Sequence, residues 1–183
     1  MNNKILIATI GEKGGGKDVV GKYLTSKYGA LVMASGDLFR DILDLLGIDK
    51  ERANLTRLAN TLRKEYGENV ALDAMLKHFE ISSAAICVDN GMRKPDEVGK
   101  AKQLGFHFWY ITAPIETRFE RIKNRNQNID DQTQTLEKFT QQELLETEKY
   151  ITELGLQAET RIDNTGSLED LYKRVDEEIN KLM

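Results

Sequence analysis

Short runs of apolar residues alternate with longer stretches in which apolar positions recur at helical spacing. Ile5 to Ile10 is continuous and rich in β-branched residues, which predicts a buried strand. Ala30 to Ala34, Ala84 to Asp89, Phe106 to Thr112 and the weaker Glu159 to Asp163 predict four more. Helical patterns fill the intervals: Lys17 to Tyr28, Asp37 to Leu46, Lys50 to Glu80 in at least two pieces, Pro95 to Leu104, Ile115 to Arg125, Leu136 to Leu154 and Ser167 to Leu182. Ser167 followed by Asp170 resembles a capping box at the start of the last helix. Strands alternating with helices imply a parallel sheet covered on both faces, and such sheets bind ligands beyond the carboxyl ends of their strands. Residues that follow a strand therefore carry the functional argument.

The remaining composition narrows the class. At 183 residues the chain suits one domain with a proper core. Lys plus Arg number 26 against 30 Asp plus Glu, a balance that speaks against a protein coating nucleic acid. The single cysteine, Cys87, allows no intrachain disulfide and fits a reducing compartment. No apolar stretch is long enough to span a bilayer, and the short N-terminal run does not read as a secretory signal, so a cytoplasmic protein is expected. Pro95 and Pro114 are the only prolines, and no linker composition marks a boundary. The polar stretch Asn124 to Thr135 reads as a surface segment.

Directly after the first strand, Gly11-Glu12-Lys13-Gly14-Gly15-Gly16-Lys17 fits G-x-x-x-x-G-K and leads into a helix. Glycines let successive backbone N–H groups curl around a phosphate chain, the helix N-terminus adds positive potential, and Lys17 can reach the β- and γ-phosphates. Gly11, Lys13, Gly14, Gly15, Gly16, Lys17 and Asp18 are the expected ATP-binding residues. Asp18 stands where Ser or Thr normally offers Mg²⁺ a hydroxyl; a carboxylate is also a hard oxygen ligand, but it adds negative charge beside the phosphates.

After the second strand, Ser35-Gly36-Asp37-Leu38-Phe39-Arg40 resembles the (S/T)-G-D-x-(L/F)-R segment of adenylate kinases. The resemblance implies that Arg40 grips the acceptor's phosphate, with Ser35 and Gly36 beside it, and that Asp37 orders water around Mg²⁺. A planar guanidinium is suited to bidentate phosphate binding in any case. After the third strand, Asp89-Asn90-Gly91-Met92-Arg93 and the following Pro95-Asp96-Glu97-Val98 resemble the D-G-x-x-R segment of nucleoside monophosphate kinases. They are closer still to the D-G-I-R-x-P-x-E-V run of archaeal dephospho-CoA kinase-like and deoxynucleotide kinase-like proteins. Carried over, Asp89 is the strand-end acid near the metal and Arg93 a second acceptor clamp, while Asn90 replaces the expected glycine. Leu62-Arg63 with Tyr66-Gly67 resembles a further pattern of the same group and makes Arg63 a candidate, with Arg57 and Lys64 equally available on spacing.

After the fourth strand, Arg121 and Arg125 are four residues apart on one helical face and could converge on a phosphoryl in flight. The superfamily carries such a pair at the base of its lid. Here no arginine occurs from Asn126 to Thr160, so a short lid is expected at about 126–147, with an acceptor-binding helical insert at about 37–80. Arg161 to Glu169 resembles the I-x-N-x-G-S-x-E-x-L tail of dephospho-CoA kinases, which places Gly166 near the nucleotide base. His78, His107, Cys87, Trp109 and Tyr110 read as packing or surface residues.

The resemblance thus implies a three-layer P-loop fold with a five-stranded parallel sheet in order 2-3-1-4-5. The implied activity is transfer of the γ-phosphoryl of ATP, with Mg²⁺, to a small nucleotide acceptor by a monomer or homodimer. Lys17, Asp37, Arg93, Arg121 and Arg125 would carry the chemistry; Asp18, Asp37 and Asp89 would face the metal. Two acceptors stay open, a (deoxy)nucleoside monophosphate and dephospho-CoA. A nucleotide-binding module without catalysis is the reading from another class, motivated by Asp18, Asn90 and the arginine-free lid.

Overall fold

The computed structural model describes residues 4–125, 135–143 and 149–183, with Arg125, Gln142, Glu143 and Lys149 described by their backbone alone. Five parallel strands form one sheet: β1 (Ile5–Ile10), β2 (Leu31–Met33), β3 (Ile86–Asn90), β4 (His107–Thr112) and β5 (Thr160–Asp163). Their order is β2-β3-β1-β4-β5, as the resemblance implies. The register sets Ala8 of β1 between Asp89 of β3 and Phe108 of β4.

Nine helices are described: α1 (Lys17–Tyr28), α2 (Ser35–Leu45), α3 (Arg52–Tyr66), α4 (Val70–Ile81), α5 (Pro95–Gln103), α6 (Ile115–Arg125), α7 (Leu136–Glu143), α8 (Lys149–Leu156) and α9 (Leu168–Leu182). Because strand side chains alternate between faces, the sheet feeds two separate cores. On one face Leu6, Ala8, Ile10, Cys87, Phe108 and Tyr110 meet α4, α5 and α8. On the other, Ile7, Val88, Trp109, Ile111 and Ile162 meet α1 and α9. A third, smaller core of Phe39, Ala59 and Ala71 holds α2, α3 and α4 together outside the sheet.

Several boundaries differ from the sequence expectation. Helix α2 begins at Ser35, two residues before Asp37, because Ala34 supplies the extended entry residue, so Asp37 lies in the first turn and does not cap it. Within the helical stretch expected over 136–154, the described residues are helical as α7 and α8, and 144–148 lie outside the described residues. β3 extends one residue further, to Asn90, which pairs with Thr9 of β1. The capping box at Ser167 and Asp170 is present in both directions. Trp109 and Tyr110 are buried as expected, whereas the His107 side chain is 40 % exposed, with Nδ1 3.4 Å from Glu159 Oε2. Cys87 is fully buried, and its thiol is pushed above its ordinary range by desolvation.

Candidate active site

The segment from Gly11 to Gly16 leaves the carboxyl end of β1 and enters α1 through Gly16, whose φ of 111° is open to glycine and unfavourable for other residues. Glycine is demanded by close approach as well. A Cβ on Gly11 would lie 2.1 Å from the carbonyl oxygen of Ile111 in β4, and one on Gly15 2.7 Å from the same atom. The loop is therefore pressed directly onto the backbone of the neighbouring strand. Lys17 turns its ammonium back over the loop, donating to the carbonyls of Gly11 at 2.6 Å and Glu12 at 3.3 Å.

Three side chains outside the expected site residues build the walls of this loop, one of them, Asn164, being the asparagine of the I-x-N-x-G-S pattern. Glu12, 8 % exposed, occupies a variable position of the motif and accepts hydrogen bonds from Thr112 Oγ1 at 2.9 Å and from the Tyr110 hydroxyl. Burial, and then this carboxylate, hold the Tyr110 phenol above its usual range. Arg118, 5 % exposed, donates from Nε to the Ala113 carbonyl at 2.9 Å and stacks over Phe139 of α7 with 5.9 Å to the ring centroid. Lys13 approaches the same ring at 5.9 Å, so the loop and α7 share one aromatic contact. Asn164, just past β5, donates from Nδ2 to the Gly15 carbonyl at 2.9 Å. Its burial would have been legible only as an asparagine in a loop already suspected of lying near the nucleotide.

Arg121 closes this arrangement. Its Nη2 donates to the Asn164 carbonyl at 2.8 Å, while Nη1 is buried with no hydrogen-bond partner among the described residues. Desolvation pulls the guanidinium below its ordinary pKa. A buried charged donor left unpaired is costly, which marks a place where an anion would be favourable. Arg125 lies on α6, but its side chain is outside the described residues. Of the expected lid, 126–134 and 144–147 are also outside them; the described part carries α7. Gly166 sits one residue before the capping box, where a Cβ would come 2.8 Å from Asp170 Oδ2.

The acceptor-side residues lie at the same edge of the sheet, beyond β2 and β3. Arg40 folds back over the first turn of α2 and donates from Nη1 to Asp37 Oδ1 at 2.8 Å; both side chains are largely exposed. A Cβ on Gly36 would meet that same Nη1 at 3.2 Å, so the glycine leaves the guanidinium room to lie down, and Ser35 opens the helix. Arg63 is more enclosed than an ordinary surface arginine, with its side chain 15 % exposed. It lies over the Phe39 ring at 5.6 Å, has Nη2 3.9 Å from Glu97 Oε1, and leaves Nε buried without a partner among the described residues. Arg93, partly buried, joins β3 to α5. Ion pairs from Lys94 to Glu68 at 2.8 Å and from Lys100 to Asp73 tie α5 to the helical insert.

Asp89 and Asn90 close β3 with side chains on opposite faces. Asp89 is 4 % exposed on the face of α4 and α5, and desolvation, then the charge of Glu97, push its carboxyl up to about 8. Glu97 is itself raised by burial, against the pull of Arg63 and Lys94. Asn90 faces α1. Among candidate metal ligands, Asp18 and Asp37 offer exposed hard oxygens suited to Mg²⁺, whereas Asp89 lies beneath the surface.

A glycine loop cradling a helix N-terminus, on a parallel sheet of order 2-3-1-4-5, defines a P-loop protein with the fold of the small P-loop kinases. Solved structures share it: shikimate kinase from Bacteroides thetaiotaomicron superposes with a TM-score of 0.65 at 14 % identity, over 97 % of this chain and 98 % of that one. A gluconokinase from Sinorhizobium meliloti gives 0.56 at 16 % identity, over 98 % and 93 %. No family model matches the sequence. A UPF0200 protein of Hyperthermus butylicus is 32 % identical over 145 residues, covering 79 % of this chain and 76 % of the relative. One from Aeropyrum pernix is 27 % identical over 171 residues, covering 92 % and 89 %. The chain belongs to the UPF0200 family.

Proposed function

We propose that the chain transfers the γ-phosphoryl of ATP to the phosphate of a (deoxy)nucleoside monophosphate. The observation that carries this reading is the buried Nη1 of Arg121, without a hydrogen-bond partner among the described residues and held beside the phosphate loop through Asn164. A cation confined there lowers the energy of charge spreading over the transferred group. Lys17 and the loop amides hold the donor phosphates, and Gly166 lies toward the base. Asp18 and Asp37 would hold Mg²⁺, with Asp89 acting on it through water. When bound, the ion would neutralise phosphate charge.

On the acceptor side, Arg40 and Arg93 clamp the incoming phosphate, and the insert of about residues 37–80 encloses the rest of the acceptor. Arg40 exchanges Asp37 for that phosphate, a swap that their exposure permits at small cost because exposed ion pairs are weak. Arg63, enclosed by Phe39 and Glu97, lines the same insert. An acceptor phosphate is already anionic, so no side chain has to act as base; positioning and charge neutralisation suffice. Arg125, four residues after Arg121, would add a second cation toward the transferred phosphoryl, and the lid of about 126–147 would exclude water.

A second reading has one observation in its favour: the Asp37 carboxylate, 70 % exposed, is open to a hydroxyl. In that case the acceptor is dephospho-CoA and Asp37 becomes its general base. ADP release is measured with ATP and Mg²⁺ against common NMPs, dNMPs and dephospho-CoA, with Lys17→Ala as control. Turnover with a monophosphate supports the leading reading, turnover with dephospho-CoA alone supports the second, and ATP binding without any turnover leaves a non-catalytic module.

A further inference from the structure

Two positions of this chain depart from the pattern its motifs otherwise follow. Asp18 replaces the hydroxyl residue after the loop lysine, and Asn90 stands at the aspartate of the D-G-I-R-x-P-x-E-V run. They are 72 residues apart in sequence, and in the fold they touch: Asn90 Nδ2 donates to Asp18 Oδ1 at 3.1 Å. The other end of the amide is also held, since Oδ1 of Asn90 accepts from the fully buried Thr9 hydroxyl at 2.8 Å. A carboxylate can only accept, so the amide must turn its NH₂ to Asp18 and its oxygen to Thr9. The orientation follows from the chemistry of the three groups.

The surroundings fit this side chain. The N–H groups of Gly91 and Met92 both donate to the Thr9 carbonyl at 3.1 Å, wrapping the chain tightly past the end of β1. Gly91, at φ 116°, makes that turn directly after Asn90 and is the glycine of the D-G-I-R-x-P-x-E-V run. On the α1 side, a Cβ on Gly21 would lie 3.6 Å from Asn90 Nδ2, which leaves the amide packed against the helix that carries Asp18.

We propose that Asn90 is a positioning residue for Asp18, and that the pair makes nucleotide binding conditional on a divalent cation. The proposal rests on the reading that the loop binds ATP. A hydroxyl at position 18 would be neutral, whereas the carboxylate sets a full negative charge one residue beyond the lysine that meets the phosphates. At the effective dielectric of a protein surface, such a charge weakens polyphosphate binding by roughly 10- to 1000-fold unless a cation lies between them. Asn90 satisfies one carboxylate oxygen and fixes the plane of the group, which lowers the ordering cost of using it as a metal ligand. Asp18 and Asn90 thus act as one unit.

The test is calorimetric titration of the full chain with ADP, first in EDTA and then with Mg²⁺. The wild type is expected to bind at least about 30-fold more tightly with the ion. Asp18→Asn, an isostere, should gain at least about tenfold in EDTA and lose most of its dependence on Mg²⁺. Asn90→Ala keeps the charge, so its affinity in EDTA should match the wild type while the gain from Mg²⁺ shrinks about five- to tenfold. In the double variant Asn90→Ala should have no further effect. Thermal unfolding of each variant separates these shifts from loss of fold, and Asn90→Ser serves if Asn90→Ala does not fold. A wild type that binds ADP equally with and without Mg²⁺ overturns this proposal alone, as does an Asn90→Ala protein with the full gain from the ion. A folded wild type that binds no nucleotide under either condition overturns the kinase reading, and this proposal with it.

Discussion

Around the phosphate loop Gly11, Gly14 and Gly15 come closest to backbone atoms, whereas around the acceptor side the neighbours are the ends of long side chains. Gly11 and Gly15 rest on one carbonyl of β4, Asn164 clasps the Gly15 carbonyl, and the loop sits between the two large cores of the sheet. Arg40, Asp37, Arg63 and Glu97 project instead from α2, α3 and α5, over a small core of Phe39, Ala59 and Ala71. Few backbone contacts and few buried apolar groups are what a region needs in order to open and close at low cost. On the proposed reading the donor half is a mould and the acceptor half a jaw. A substitution that crowds the backbone of the loop should damage fold and binding together; one among the side chains of the jaw should separate them.

The largest effect is expected from Gly11→Ala. Its Cβ would collide with the Ile111 carbonyl, so the strand or the loop must shift. Loss of about 2–4 kcal/mol in urea unfolding is expected, with ATP affinity down at least about 100-fold. If ATP affinity falls while stability is unchanged, the description of the donor half as a mould is wrong.

Asp89 tests the floor of the acceptor half by pH. Burial, and then the charge of Glu97, push its carboxyl up to about 8 in the folded chain, against about 4 for an ordinary carboxylate. Between those values the folded state binds more protons than the unfolded one, so the contribution of Asp89 to stability falls as pH rises from about 4 to about 8. Asp89→Asn removes this slope, and the variant should gain about 2–4 kcal/mol on the wild type between pH 5 and pH 9. Parallel stability profiles for the two proteins would show that burial does not hold the proton there.

Arg121→Ala should lower kcat by about 100-fold while leaving the unfolding midpoint near its original value, with Arg121→Lys intermediate because the fork is lost but the charge kept. A large rise in the KM for ATP with unchanged kcat would assign Arg121 to ground-state binding instead. Arg40→Ala should change stability by no more than about 0.5 kcal/mol, since its partner is exposed, while the KM for the acceptor rises roughly tenfold or more. An unchanged acceptor KM would remove Arg40 from the jaw.

The sequence was most legible where structure is local. The loop motif, the strand before it and the helix after it are contiguous, so their chemistry could be read at once. The same is true of the capping box at Ser167, whose two partners are three residues apart. Legibility declined where neighbours come from distant elements. Arg63 read as one of several equivalent helical arginines, because nothing local announces that Phe39 and Glu97 will cover it. Glu12 stood in a position that the motif leaves variable, and its importance to the loop depends on Tyr110 and Thr112 about a hundred residues later.

By itself, then, the sequence determined the alternation of strands and helices and the phosphate loop, and its motifs placed the chain in a fold whose strand order the structure bears out. These follow from hydrophobic period, turn chemistry and short-range spacing, which act within a few residues. Tertiary structure alone decided which face each strand-end side chain serves. It sent Asp89 inward, where desolvation favours its proton, and turned Asn90 toward Asp18. The reason is the two-residue period of a strand: adjacent residues enter opposite environments, and only the packed helices determine what those environments contain.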